Sequence, residues 1–89
     1  MDRPEREPPP LPRPPRRRAL LLEPASLIAF WMRRDGFDVH LATDEDELIV
    51  RATAIHPDVI VLTGPQPRAL RLLRTVPALR PIPVLQIPR

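Results

Sequence analysis

Residues 56–63 read His56-Pro57-Asp58-Val59-Ile60-Val61-Leu62-Thr63, and this run decides the fold. Val59–Leu62 is apolar at every position and too short for an independent helix. An apolar run of this length without alternation suits a strand buried on both faces, as in a parallel sheet covered by helices on each side. Pro57 biases His56 away from helix and ends the segment before it. Thr63-Gly64-Pro65-Gln66-Pro67 then forms a loop rich in breakers.

The same grammar repeats outward from this strand. Ala19–Leu22 is a second continuous apolar run, and Ile82–Ile87 is a last one, framed by Pro81, Pro83 and Pro88. Phe37, Val39 and Leu41 alternate with Asp38, His40 and Ala42, which reads as a strand with one wet face. Between these strands lie three helical patterns. In the first, Ser26 is the expected N-cap, and Leu27, Ile28, Phe30 and Trp31 recur at helical spacing. Arg33 and Arg34 suit the negative end of its dipole, and Gly36 suits a left-handed C′ position. The second opens on Thr43 and the acids Asp44–Glu47 and carries a Leu48, Ala52, Ile55 stripe. The third carries Ala69, Leu72, Leu73 and Val76 and is broken by Pro77. The order β-α-β-α-β-α-β predicts right-handed crossovers and a three-layer α/β sandwich around a parallel sheet.

Charge and proline divide the chain in two. Residues 1–18 hold six Arg against Asp2, Glu5 and Glu7, with seven of the 15 Pro. Residues 19–89 hold eight Arg and eight acids, so the formal net charge of +3 belongs to the leader. The leader has almost no large apolar side chain to offset the entropy of ordering, and it reads as a disordered segment with polyproline-II bias. Pro12-Arg13-Pro14-Pro15-Arg16-Arg17 matches a ligand pattern for SH3-type grooves, a match that composition alone produces readily. Arg16, Arg17 and Arg18 are candidate basic contacts to nucleic acid or an anionic surface, although no aromatic residues are interleaved with them. The chain has no Lys and no Cys, so it has no disulfide and no thiolate zinc site. The apolar run after Arg18 is interrupted by Glu23 and Pro24, which argues against a secretion signal. No stretch approaches the roughly 18 apolar residues of a membrane span, so a cytoplasmic location is expected.

With strands and turns placed, four stretches resemble the receiver domain of bacterial response regulators. Arg18–Pro24 lies where receivers carry strand 1 and its acidic pair. Asp35–Val39 is similar to their helix 1 to strand 2 junction. His56–Thr63 resembles their run into strand 3, and Leu73–Val84 their helix 3 to strand 4 segment. The resemblance covers about residues 17–89. It implies a flavodoxin-like sheet of strand order 2-1-3-4, with ligands at the carboxyl ends of strands 1 and 3. It also implies that residues 19–89 form a receiver-like domain truncated after strand 4, lacking helix 4, strand 5 and helix 5.

The departures from the family pattern bear on function. Receivers hold Mg²⁺ with two acids after strand 1, because a hard cation wants oxygen ligands. Here Glu23 keeps one carboxylate and Pro24 replaces the other. Thr63 stands at the phosphoacceptor position, where a hydroxyl is a far weaker nucleophile than a carboxylate. Pro88 falls on the strand 4 switch position, and the family's Lys has no counterpart. The expectation is a phosphorylation-independent pseudo-receiver, acting by protein contact in a two-component or phosphorelay-type system. It is expected not to be an enzyme, with no cofactor, no metal and no membrane contact. The alternative is nucleic-acid or anionic-surface binding through the Arg-rich leader. Weak self-association through strand 4 is expected, since that strand forms a sheet edge. His40 and His56 read as surface residues without spaced partners. Arg68, Arg71 and Arg74 read as a solvated ridge, and Trp31 as either core or the mark of an open sheet face.

Overall fold

The computed structural model describes residues 16–88. Four strands, β1 (Arg18–Leu22), β2 (Asp38–Ala42), β3 (Val59–Thr63) and β4 (Val84–Ile87), alternate with α1 (Ser26–Arg34), α2 (Glu45–Ile55) and α3 (Pro67–Thr75). All pairings are parallel and the order is β2-β1-β3-β4, a flavodoxin-like layout. β1 is central, in register with β2 (Leu20 opposite His40) and β3 (Leu20 opposite Ile60).

Alternate side chains of the central strands feed two cores, which is why Ala19–Leu22 and Val59–Leu62 show no polar alternation. Leu20, Leu22, Ile60 and Leu62 pack with Leu48 and Ala52 of α2 and Ala69 and Leu73 of α3. Ala19, Leu21 and Val61 pack on the other face with Ala25 and Ala29, next to Ile28 and Met32 of α1. The sheet is thus a middle layer, with one helix on one side and two on the other.

Several boundaries differ from the sequence reading. β1 begins at Arg18, so the last residue assigned to the leader belongs to the folded body. Its amide donates to Asp58 Oδ2 at 2.7 Å and its guanidinium to the Ile55 carbonyl at 3.0 Å. The rest of the leader reading, up to residue 15, lies outside the described residues. β4 starts at Val84 and not at Ile82, because a 3-10 turn at Pro77–Leu79 precedes it and the Ile82 amide donates to the Leu79 carbonyl. Leu79 is a core residue of that turn. Ala42 is buried under α2, so the face of β2 expected to be wet is closed at that end. On α1 the side chains nearest the sheet are Ala25, Ala29, Ile28 and Met32. The small residues let the helix approach, and Leu27, Phe30 and Trp31 are left outside.

The helix ends show the local chemistry. α1 has no side-chain cap, since Ala25 and not Ser26 holds the N-cap position. Its other end closes as expected at Gly36, where φ is 95°. The Gly36 amide donates to the Arg33 carbonyl and the Phe37 amide to Met32, a Schellman closure. In α2 the cap is Asp44 and not Thr43: the Glu47 amide donates to Asp44 Oδ1 at 2.8 Å. Glu47 reaches back to accept from the Thr43 amide (3.3 Å) and hydroxyl (3.2 Å), and it pairs with Arg51 at 3.0 Å.

The Arg51 hydrogen bond, helped by those from Thr43, holds the Glu47 carboxyl below its ordinary value. A group whose folded pKa is depressed stabilises the fold above its unfolded pKa, and that contribution is lost as pH falls through the folded value. Glu47→Gln therefore reduces the acid sensitivity of the melting temperature below about pH 4.5 and lowers stability near neutrality. Parallel acid limbs for the two proteins in thermal melts would contradict this.

Candidate functional site

The chain leaves β1 toward α1 on one face of the sheet and leaves β3 toward α3 on the other. Diverging connections from neighbouring parallel strands open a crevice at their carboxyl ends, the usual ligand position in such sheets. Here the crevice is a shallow depression of about 340 Å³ lined by Pro24, Ala25, Ser26, Leu27, Ile28, Thr63, Ile87 and Pro88. A neighbouring one of about 380 Å³ runs over Gly64, Pro65, Gln86, Ile87 and Pro88.

The fold thus brings Pro24, Thr63 and Pro88, the positions that the receiver resemblance singles out, to one place. Glu23, the remaining carboxylate, lies beside this depression and not among its lining residues. Its amide is fixed by the Ala42 carbonyl at 2.8 Å. Thr63 points to the α1 side with Ile87, its register partner on β4. Its hydroxyl is buried and has no hydrogen-bond partner. Its carbonyl accepts from the Gln66 side-chain amide at 3.3 Å.

No lining residue is ionisable. Such a surface offers van der Waals contact and the Ser26 side chain, while the Thr63 hydroxyl is buried beneath it, with no lining side chain to act as base or to compensate a cation's charge. Among the described residues, no group of three or more His, Asp or Glu is placed to hold a metal ion. Asp44–Glu47 are accounted for by the start of α2.

The basic candidates lie at the opposite, amino-terminal end of the sheet. Arg16, Arg17 and Arg18 line an open cleft of about 610 Å³ with Asp38, His56 and Asp58. Arg18 is committed to the fold by its bonds to Asp58 and Ile55, which leaves Arg16 and Arg17 for any ligand. His56 caps α2 in the left-handed conformation, with φ 47°. His40 does have a partner, contrary to the sequence reading: its Nε2 lies 3.2 Å from Asp38 Oδ2. The two are i and i+2 on one strand, and strand periodicity puts them on the same face. Arg68, Arg71 and Arg74 are exposed on α3.

The sequence left Trp31 as either core or the mark of an open sheet face, and the structure places it on the outer side of α1. Leu27, Phe30 and Trp31 of α1 and Leu85 of β4 are each at least half exposed. The Phe30 and Trp31 rings meet edge to face at 5.5 Å, and the Arg34 guanidinium sits 5.6 Å from the Trp31 ring centroid. No described helix is long and apolar enough to cross a membrane. No family model, no curated protein and no solved structure matches the chain.

Proposed function

We propose that this chain is a receiver-like signalling module that acts by protein contact and does not use phosphorylation. The observation that carries this reading is the crevice at the carboxyl ends of β1 and β3, where Pro24, Thr63 and Pro88 meet without an ionisable lining residue. The flavodoxin-like layout is compatible with a receiver-like module, and the residue types lining this crevice do not suit phosphoryl chemistry. In-line transfer calls for a carboxylate nucleophile and for cations to neutralise the transferring oxygens. Thr63 offers a hydroxyl with no base near it, and Pro24 removes one oxygen ligand.

Incubation with acetyl phosphate and Mg²⁺, followed by intact-mass measurement, is expected to show no added phosphate. A base-labile adduct at any Asp or Glu would overturn the reading. The double substitution Pro24→Asp with Thr63→Asp is expected to gain divalent-ion binding, read as a Mg²⁺-dependent rise in melting temperature. Salt titration separates this module from a nucleic-acid binder, because phosphate contacts weaken steeply with salt. Tight, salt-sensitive binding to an arbitrary duplex would favour the Arg-rich leader as the working part.

A further inference from the structure

Charge is divided along the body of the chain. Residues 19–63 hold three Arg against eight acids, and residues 64–89 hold five Arg and no Asp or Glu. Most of the second group sits on or beside α3, whose exposed residues are Pro67, Arg68, Arg71, Arg74 and Thr75. At about 100° per residue, Arg71 stands opposite the buried Ala69 and Leu73, with Arg68 and Arg74 about 60° to either side. The three span about 9 Å of helix axis. Arg80 adds a fourth guanidinium, held at the end of α3 by its Nε bond to the Arg74 carbonyl at 2.8 Å. Among the described residues, none of the four pairs with a carboxylate.

Fold stability does not account for this ridge. α2 opens on Asp44, Glu45, Asp46 and Glu47, where the positive end of a helix dipole favours acids. α3 does the reverse: it opens on Pro67 and Arg68, with no acid in its first turn and no side-chain cap. Arg68 thus sits where the dipole disfavours a cation, and like charges three residues apart on one helix repel. The positive potential of the helix end adds to that of the guanidiniums, and the sum is turned to solvent. Departures from local stability of this kind fall at functional surfaces.

We infer that the ridge of Arg68, Arg71, Arg74 and Arg80 docks a short acidic segment of a partner protein, its carboxylates paired with these guanidiniums. This rests on the reading of a module that acts by protein contact, and it gives that module its contact surface. Arginine suits the task because its planar fork binds a carboxylate through two parallel hydrogen bonds. Two other polyanions fit less well. α2 packs beside α3 and starts from the same end of the sheet, so Asp44, Glu45 and Asp46 lie toward the Arg68 end. A duplex carries phosphates far past the ridge and brings them over these acids, whereas a short segment lies on α3 alone. No exposed residue of α3 is aromatic, so unpaired bases find nothing there to stack on. An anionic membrane calls for exposed apolar side chains among the cations, and those of α3 are turned toward the core.

Fluorescence anisotropy of labelled poly-L-glutamate with the full chain, at near-physiological salt, tests the inference. The expected result is saturable binding that weakens as salt rises. Arg71→Glu and Arg74→Glu are each expected to weaken it about five- to tenfold. Arg68→Glu is expected to do the same while raising the melting temperature by a few degrees, because it puts an acid in the first turn of α3. A weaker complex from a more stable protein is not a folding defect. Arg16→Ala combined with Arg17→Ala is expected to leave binding within about twofold. No binding up to millimolar peptide overturns the inference. So does binding that survives the α3 substitutions, or that is lost with Arg16 and Arg17, which would move the site to the amino-terminal end of the sheet. Tighter binding of a duplex or of phosphatidylserine vesicles at the same salt, lost in Arg71→Glu, overturns the acidic segment as the occupant of the ridge. A phosphoryl adduct in the intact-mass measurement overturns the phosphorylation-independent reading and leaves these binding results standing, so the two failures are distinct.

Discussion

Leu20→Ala lowers the stability of the chain by about 3 kcal/mol, which corresponds to a drop in melting temperature on the order of 15 °C for a domain of this size. Leu20 is fully buried in the central strand, flanked by β2 and β3. Its side chain is shared among Leu22, Leu48, Ile60 and Leu62 in the larger core. Neighbours fixed in a hydrogen-bonded sheet collapse poorly into the space left, so the cavity adds to the lost transfer energy. A domain this small has total stability of roughly 4–11 kcal/mol at typical values per residue. The substitution therefore removes a large fraction of it. Urea melts are expected to show a lower midpoint at unchanged slope. Leu27→Ala, on the exposed side of α1, is expected to stay within about 0.5 kcal/mol of the parent. Similar losses for the two would show that Leu20 is not packed as described.

Thr63→Val raises stability by about 1–2 kcal/mol. The hydroxyl of Thr63 is buried without a hydrogen-bond partner, so folding strips it of water and returns nothing. Valine keeps the β-branched shape that suits the end of β3 and puts a methyl group where the hydroxyl was, on the side facing Ile87. Thr63→Ser is the complementary test: it keeps the orphan hydroxyl, loses the methyl and is expected to destabilise. Should Thr63→Val instead cost stability, the hydroxyl has a bound partner in solution, and the crevice is occupied by water or a ligand. One denaturation series thus reports on the fold and on the candidate site together.

The parallel α/β architecture was legible because Ala19–Leu22 and Val59–Leu62 show no polar alternation, a pattern that strands facing helices on both sides require. The strand order came from the resemblance, since periodicity carries no information on which strands pair. Thr43 and Asp44 are both good caps, and only the backbone path decides that Asp44 takes the position. Leu79 was missed because an apolar residue isolated among Pro77, Pro81 and Pro83 has no periodic partners. The packing of α1 was ambiguous for the opposite reason. With Leu27, Ile28, Phe30, Trp31 and Met32 nearly encircling the helix, the hydrophobic pattern does not choose a face, and the small Ala25 and Ala29 decide it by letting the helix close on the sheet. At the site, the convergence of Pro24, Thr63 and Pro88 followed from strand order. The unpartnered Thr63 hydroxyl and the placement of Glu23 outside the lining depend on side-chain directions that no spacing rule encodes.

The central position of β1 sets a timetable for synthesis. β1 is translated before both of its neighbours, and the second of them, β3, aligns with it from 40 residues further along, as in the Arg18–Asp58 bond. At cellular elongation rates that interval lasts roughly 2–8 s. Until β3 is made, Ala19–Leu22 is an apolar strand with one side unpaired, and β2 alone is available to cover it. Non-local pairing of this kind also slows refolding in isolation, because loop closure precedes the contacts that reward it. The nascent chain is therefore most prone to aggregate between the completion of β2 and the emergence of β3, a window that slower translation lengthens.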